Sequence, residues 1–502
     1  MALNETLSEA TAPETHSVPP EAPESLSSLL DAIVEKSRVA ANEAEKVHTR
    51  DLIGEFVDQI LTGQVVVNKD LASSIDLRVA ELDRLISDQL NAILHHEEFQ
   101  RLEGSWRGLK HLVAQTESTL MLRIKVLNAT KAELAKDFKI APDYDQSALF
   151  KKIYEEEYGT FGGAPYAAIV GDYEFSRTPE DFRLLEEFSH VAAAAHAPFI
   201  SAAAPRLFGL ESFSEIGKPR NLGKLFETIE YTKWKSFRES DDARYVGLVL
   251  PHILGRLPYG PDTNPVEEFD FREDVDGTDH TKYLWSNAAY AYGARLTNAF
   301  SEYGWLAAIR GVEGGGLVDE LPTHAFKTDD GEIATKCPTE VAITDRNEKL
   351  LSDLGFMALV HCKNTDYAAF FSGQSVQRAK AYATDAANAN ARLSTQLPYI
   401  FAVSRIAHYM KAIMRDKIGS FASRQGVQDY LNNWLAQYVL LDDSASQEAK
   451  SKFPLREARV EVVEIPGKPG CYRAAAFLRP HFQLDELTVS LRLVADLPAP
   501  SR

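Results

Sequence analysis

Leu102-Glu-Gly-Ser-Trp106-Arg-Gly-Leu-Lys-His-Leu-Val113 closes the strongest periodic signal in the chain. Upstream, Ile75, Val79, Leu82, Ile86 and Ile93 keep helical spacing. Phe99, Leu102, Trp106, Leu109 and Val113 continue it in steps of 3, 4, 3 and 4. That spacing predicts a long helical stretch after Lys69 carrying one apolar seam. Gly104 and Gly108 interrupt it, each at a cost of about 1 kcal/mol relative to alanine inside a helix. Their i, i+4 spacing places both on one face, where a second backbone can approach closely. Trp106 and Gly108 are expected at buried contacts. Two readings of the Ile75–Val113 seam stay open: packing within its own domain, or docking of a partner subunit.

On the C-terminal side of the seam, short apolar runs alternate with helical patterns. Strands are expected at Leu120–Val126, Ala167–Gly171, Phe199–Ala203, Val246–Leu250, Leu306–Ile309 and Phe356–Val360. Helices are expected at Pro179–Ala195, Asn221–Ile229, Tyr283–Tyr303 and Arg346–Leu354. This alternation indicates an α/β body, mixed α+β in detail. Thr178 is the expected N-cap of the Pro179 helix, with Glu180 and Asp181 near the positive end of its dipole. Past about Asp385 the pattern changes. Helices Leu397–Ile418 and Val427–Leu440 precede strands Arg459–Ile465 and Cys471–Leu478, which flank the turn-forming Pro466-Gly-Lys-Pro-Gly470. A last strand alternates, with Leu487, Val489, Leu491 and Leu493 on one side. It suits either an internal three-stranded sheet or pairing with a neighbour's sheet edge.

On the N-terminal side, residues 1–24 are rich in Glu, Ala, Thr, Ser and Pro and carry almost no large apolar side chains, so a disordered tail is expected. Leu26, Leu29, Leu30, Ile33 and Val34 then form one helical stripe. It is either a core helix or a docking peptide for a partner's groove. The resulting division is tail 1–24, amphipathic helix 25–48, large body 49–384 and C-terminal module 385–502.

The charge balance, 54 − 73 = −19, argues against a nucleic-acid-binding surface and against docking on anionic lipid. Three scattered cysteines, Cys337, Cys362 and Cys471, fit a reducing cytosol better than a disulfide framework. No apolar run of membrane-spanning length and no secretory signal is visible.

A search for chemistry finds no phosphate loop, dinucleotide fingerprint, zinc-protease motif or nucleophile elbow. His95-His96 point about 100° apart on a helix and do not converge on a metal. His361-Cys362 ends an apolar strand; no partner base follows from spacing, so a buried structural cysteine is expected. Arg310 with Gly314-Gly315-Gly316 is the best candidate for an anion cradle, but Glu313, Asp319 and Glu320 surround it. A tight turn allowing close subunit contact is the better reading. The acidic runs Glu267–Asp270 and Arg272–Asp274 read as solvated loops. No catalytic residue, cofactor or metal ligand is assigned.

Leu102-Glu-Gly-Ser-Trp106-Arg-Gly108 resembles a hallmark of the large sheath subunit of the bacterial type VI secretion system, the TssC/VipB/EvpB family. Val191-Ala-Ala-Ala-Ala-His-Ala-Pro-Phe199, Tyr245-Val-Gly-Leu-Val-Leu-Pro251 and Arg256-Leu-Pro-Tyr-Gly260 match as well. So do Trp285-Ser-Asn-Ala-Ala-Tyr-Ala, Tyr303–Gly316 with Arg310, Gly314, Gly315 and Gly316, Cys337-Pro-Thr-Glu340, Ala387-Asn-Ala-Asn390, Leu397-Pro-Tyr-Ile-Phe401 and His408-Tyr-Met-Lys411. The likeness runs from about residue 50 to the C-terminus. Ala379 departs from it, standing where a proline is expected.

The resemblance implies a phage-tail-sheath-like body, a C-terminal gpW/gp25-like module and a disordered N-terminal arm. It implies a structural, non-enzymatic subunit of a cytoplasmic assembly in a Gram-negative bacterium. The implied partners are a small sheath subunit (TssB/VipA-like), other copies of the chain in a helical polymer, inner-tube hexamer rings (Hcp-like), a baseplate and an AAA+ unfoldase (ClpV-like). No nucleic acid and no membrane insertion are implied. Leu26–Val34 matches the helix the unfoldase recognises in that family, and Leu487–Leu493 would be an exchanged interface strand. A cytosolic α/β enzyme with Glu313 or His361 at its site and a phage tail sheath remain the alternatives.

Overall fold

The computed structural model describes residues 43–62, 71–117, 119, 121–217, 222–267, 269–328, 330–417, 423–442, 444–464, 466, 472–481 and 483. The N-terminal tail, the stripe Leu26, Leu29, Leu30, Ile33 and Val34, the strand Leu487, Val489, Leu491 and Leu493, and Cys471 all lie outside the described residues. The chain divides into two compact units, 1–88 and 89–502.

In the first unit, α1 (Glu43–Leu61) is followed by the larger part of α2 (Leu71–Leu94). Arg78 joins them, donating to the Gln59 side chain at 2.5 Å and pairing with Glu81 at 2.7 Å. Among the described residues of this unit none belongs to a buried hydrophobic cluster. Val47, Leu52, Leu77 and Val79 are all at least half exposed.

The second unit opens with α3 (Glu97–Ala114), separated from α2 by a break at His95-His96. The expected continuous helical stretch is thus two helices. Its body is built on six strands: β1 (Ile169–Phe175), β2 (Phe199–Ala203), β3 (Val246–Leu250), β4 (Leu317–Val318), β5 (Met357–His361) and β6 (Ala368–Phe370). Their order is β1-β2-β3-β5-β6-β4. The first four run parallel, and β6 is antiparallel to both β5 and β4.

Helices cover both faces of the sheet, so its central strands read as unbroken apolar runs. Phe199, Val246, Leu248, Ala358 and Val360 face one core; Ile200, Val249, Met357 and Leu359 face the other. The first core lies under α4 (Lys131–Ile140) and α5 (Pro179–Ala195), where the Phe188 and Phe199 rings stack at 4.2 Å. Trp234 stacks on Phe356 in the same core at 5.7 Å. As expected, Thr178 caps α5, accepting from the Asp181 amide with Pro179 as the first helical residue. The second core lies under α6 (Ala288–Tyr303).

Several expected boundaries move, each for a tertiary reason. Met121–Val126 forms no strand because no sheet edge pairs with it; Met121 and Val126 are about three-quarters and two-thirds exposed. Leu306–Ile309 is irregular chain that is apolar because it is buried, while the short β4 and β6 supply the sheet edge. The Asn221–Ile229 helix shrinks to the turn Leu222–Leu225. The helix expected from Tyr283 begins at Ala288. Trp285–Ser286 pairs instead as a strand with Ile253–Leu254, and Asn287 caps the helix through the Ala289 amide at 2.8 Å.

Beyond α7 (Asp345–Asp353) and α8 (Asp385–Leu393), α9 (Leu397–Asp416) links two cores. Leu397 and Phe401 enter the second body core. Ile406 and Met410 enter a C-terminal core shared with α10 (Arg424–Ala436) and the hairpin β7 (Leu455–Glu464) with β8 (Tyr472–Pro480).

Phe356 is fully buried between Trp234 and Phe208. Phe356→Ala is expected to lower stability by about 3–5 kcal/mol, read as a shifted urea midpoint with unchanged slope; an unmoved midpoint contradicts this packing.

Candidate functional site

The two faces of α3 do different things. Glu97 and Glu98 stand in its first turn, where negative charge suits the helix dipole. Gly104, Gly108 and Leu112 are buried. A Cβ on Gly104 would lie 2.7 Å from the Trp285 carbonyl oxygen, and one on Gly108 would overlap the Tyr290 ring and the Ser286 hydroxyl. The Ser286 hydroxyl donates to the Gly104 carbonyl at 2.8 Å, a bond only this close approach permits.

Of the expected seam, Leu109 is partly buried beside Leu112 and Tyr290, and the other members on this helix point elsewhere. Phe99, Leu102, Trp106 and Val113 project about 140–180° from the midpoint of the two glycines at 100° per residue. Leu102 is 57% and Trp106 66% exposed. Trp106 is therefore not a buried contact within this chain, whereas Gly108 is. The reason is steric: only the side-chain-free face can sit against Trp285-Ser286 and the first turn of α6.

Along the edge of the glycine face runs a buried ion-pair chain. Arg256 donates to Glu103 on α3 at 2.8 Å and to Glu273 at 2.6 Å, and stacks over the Tyr259 ring at 4.5 Å. Glu273 also accepts the Tyr259 amide at 2.8 Å, and His95 lies 3.4 Å from it. Burial opposes the charge on Arg256, but its two carboxylates outweigh burial and hold its pKa above the ordinary value. Glu273 is thus buried and paired, not part of a solvated acidic loop. Nothing in the run Arg272-Glu-Asp274 distinguishes it, because its partner Arg256 is remote in sequence.

A second knot lies at the end of β1. His252 sits between Glu340 at 2.5 Å and Glu174 at 2.8 Å, and Glu340 also accepts the Ser212 hydroxyl and the Phe213 amide. Burial works to lower the His252 pKa, but the two carboxylates override it and push it up to about 10.

Arg310 is buried and donates to the Gln396 side chain at 3.2 Å. The glycines beside it make a turn, not an anion cradle. Gly316 N–H donates to the Gly311 carbonyl, Gly311 N–H to Phe370 and Phe370 N–H back to Gly316. Gly315 has φ +89° and Gly314 abuts the Arg310 carbonyl, so the glycines permit a close approach to this chain's own backbone. Cys362 is exposed, which corrects the buried position expected for it. Among the described residues, no group of three or more His, Cys, Asp and Glu is placed to hold a metal ion. Among them too, no helix is long and apolar enough to cross a membrane.

Two family models match the chain: VipB, the EvpB/VC_A0108 tail sheath N-terminal domain, over residues 76–377, and VipB_2, the tail sheath gpW/gp25-like domain, over 386–497. The type VI secretion system sheath protein TssC1 of Pseudomonas aeruginosa is 50% identical over 462 residues, covering 91% of this chain and 92% of that one. The chain belongs to the VipB/EvpB family of type VI secretion sheath large subunits, a family of structural proteins. Two solved structures of the anti-feeding prophage overlap it weakly. The baseplate matches with TM-score 0.34 at 11% identity, over 63% of this chain and 66% of that one. The contracted helical sheath matches with TM-score 0.30 at 10% identity, over 75% and 99%. Overlaps of that size carry no weight for this chain.

Because its folded pKa is raised, His252 contributes stability that is complete below pH about 6.5 and is lost as pH rises toward 10. Thermal unfolding of the wild type is expected to fall further between pH 7 and pH 9.5 than that of His252→Gln; parallel pH profiles contradict the triad.

Proposed function

We propose that this chain pairs with a smaller sheath subunit and that the pairs polymerise into a helical tube around an inner tube. The tube contracts to drive the inner tube and its spike outward, and an AAA+ unfoldase dismantles the contracted form. The supporting observation is apolar surface left open among the described residues. On α2, Leu82 and Ile86 are nearly half exposed; on α3, Leu102 and Trp106 are more than half exposed. Burying such a side chain fully is worth about 1.5–3 kcal/mol. Either row by itself suits a partner helix laid along it.

A tube requires heterologous contacts that do not close into a ring. The terminal strand with Leu487, Val489, Leu491 and Leu493 would supply main-chain bonds to a neighbour, holding the wall together while the globular bodies rotate. Contraction then needs two packings of the same subunit that differ modestly in energy, multiplied over many copies. The charge of −19 per chain, repeated along such a wall, calls for cationic partner surfaces or counter-ions. The stripe Leu26, Leu29, Leu30, Ile33 and Val34 would be the unfoldase-docking element, exposed once the wall has contracted.

Leu82→Asp with Ile86→Asp is expected to cut co-purification of the small subunit at least about tenfold, the effect of some 1.4 kcal/mol, while the body stays folded. Undiminished co-purification defeats this docking surface. Leu29→Asp with Ile33→Asp is expected to leave tubes intact under the electron microscope and abolish their disassembly by the unfoldase; normal disassembly refutes that assignment.

A further inference from the structure

The segment after α3 has the residues of a strand and no strand beside it. From Leu122 to Thr130 the chain makes no helix, turn or bend, and residues 123–128 are all exposed. Among the described residues, no hydrogen bond reaches a main-chain N–H or C=O of residues 123–128. Val126 is 68% and Leu127 53% exposed. An open row of main-chain donors and acceptors that carries aliphatic side chains is a template for a second strand.

The segment is nevertheless tied down along its length. The Leu122 N–H donates to the Thr119 carbonyl at 3.3 Å. Lys125 pairs with Glu157 on the helix Lys151–Tyr158, and its ammonium lies 5.3 Å from the centre of the Tyr166 ring. Tyr173 of β1 donates its hydroxyl to the Ala129 carbonyl at 2.7 Å. Thr130 then caps α4 and donates its own amide to Glu133 at 2.7 Å. An incoming strand therefore meets a segment that is already ordered, which lowers the entropy cost of binding. The charge is local too. In a chain of net charge −19, residues 118–132 hold Arg123, Lys125 and Lys131 and no carboxylate. Lys125 is paired with Glu157 and Lys131 with Asp181, whereas no carboxylate among the described residues pairs with Arg123. In a strand, Ile124 and Val126 fall on one side and Arg123 and Lys125 on the other.

We propose that residues 123–128 receive an edge strand of the smaller sheath subunit. That strand carries aliphatic residues at alternate positions, against Ile124 and Val126, and a carboxylate against Arg123. Pairing along one edge uses the N–H and C=O of every second residue, about six main-chain bonds over this length. The side chains choose the partner, and the main chain holds it. An uncovered edge pairs with whatever strand arrives first, so its cover must be in place before the tube grows. That favours the subunit with which the chain pairs at the outset over a second copy met later in the wall. The inference rests on the pairing reading above and adds to it a strand contact, separate from the helical rows on α2 and α3.

The test uses the full-length chain co-expressed and purified with the small subunit. Hydrogen exchange read by mass spectrometry should show amides within residues 123–128 protected at least about hundredfold relative to an unstructured peptide. Val126→p-benzoylphenylalanine, irradiated in the complex, should cross-link to a small-subunit peptide that contains Asp or Glu. Val126→Pro and Leu127→Pro remove N–H groups that point to opposite edges. One of the two should cut co-purification of the small subunit at least about tenfold and the other less than about threefold, a difference that side-chain packing alone would not produce. Equal effects of the two prolines, or a cross-link to a second copy of this chain, overturns the proposal. Should both proline variants fail to fold, exchange in the wild-type complex decides. If the small subunit co-purifies and residues 123–128 exchange at the unstructured rate, the strand contact is wrong and the pairing reading survives. If the wild-type chain retains no small subunit, the pairing reading fails and this inference falls with it.

Discussion

A side chain on Gly108 would fill the space of the Tyr290 ring, and one on Gly104 would press on the carbonyl of Trp285. That close approach sets the orientation of α3. With its glycine face against α6 and the Trp285-Ser286 strand, the helix can hand Glu103 to Arg256, and Phe99, Leu102, Trp106 and Val113 are turned to the outside. A sheath subunit must keep one surface firmly joined to its own body and another ready for a neighbour. In α3 one face is joined to the body and the opposite face is open, and the division follows from where side chains are missing.

The charges obey a similar rule. A chain of net charge −19 still buries Glu103, Glu273, Glu340 and Arg256 wholly or in part, and each is matched by an opposite charge or by backbone donors. Removing one partner of such a pair leaves a buried charge uncompensated, so the pairs specify which loops meet more than they add stability. The Arg256 chain ties α3 to the loop that carries Tyr259 and Glu273. The His252 triad ties the end of β1 to the segment around Glu340.

Much of the fold was legible in the residues themselves. The Thr178-Pro179 start of α5, the buried strands Phe199–Ala203 and Val246–Leu250, the start of α9 at Leu397 and the two hairpin strands of the C-terminal module follow from caps, apolar runs and turn residues. The misses have a common cause. Met121–Val126 has the composition of a strand but no neighbour to pair with, whereas the short β6 is a strand only because β5 lies beside it, and β4 only because β6 does. Pairing is a property of two segments, and a pattern read along one segment does not contain it.

The sequence alone determined what depends on residues within a turn or two of one another: helical period, end caps, the glycine spacing on α3 and the motifs that mark the sheath family. Tertiary structure decided which face of that helix closes and which stays open, that Glu273 is buried, and that His252 meets two carboxylates. Each of these depends on a group that folding brings from a distant part of the chain. Spacing along a backbone fixes where a side chain points on its own helix or strand; only packing supplies what it meets there.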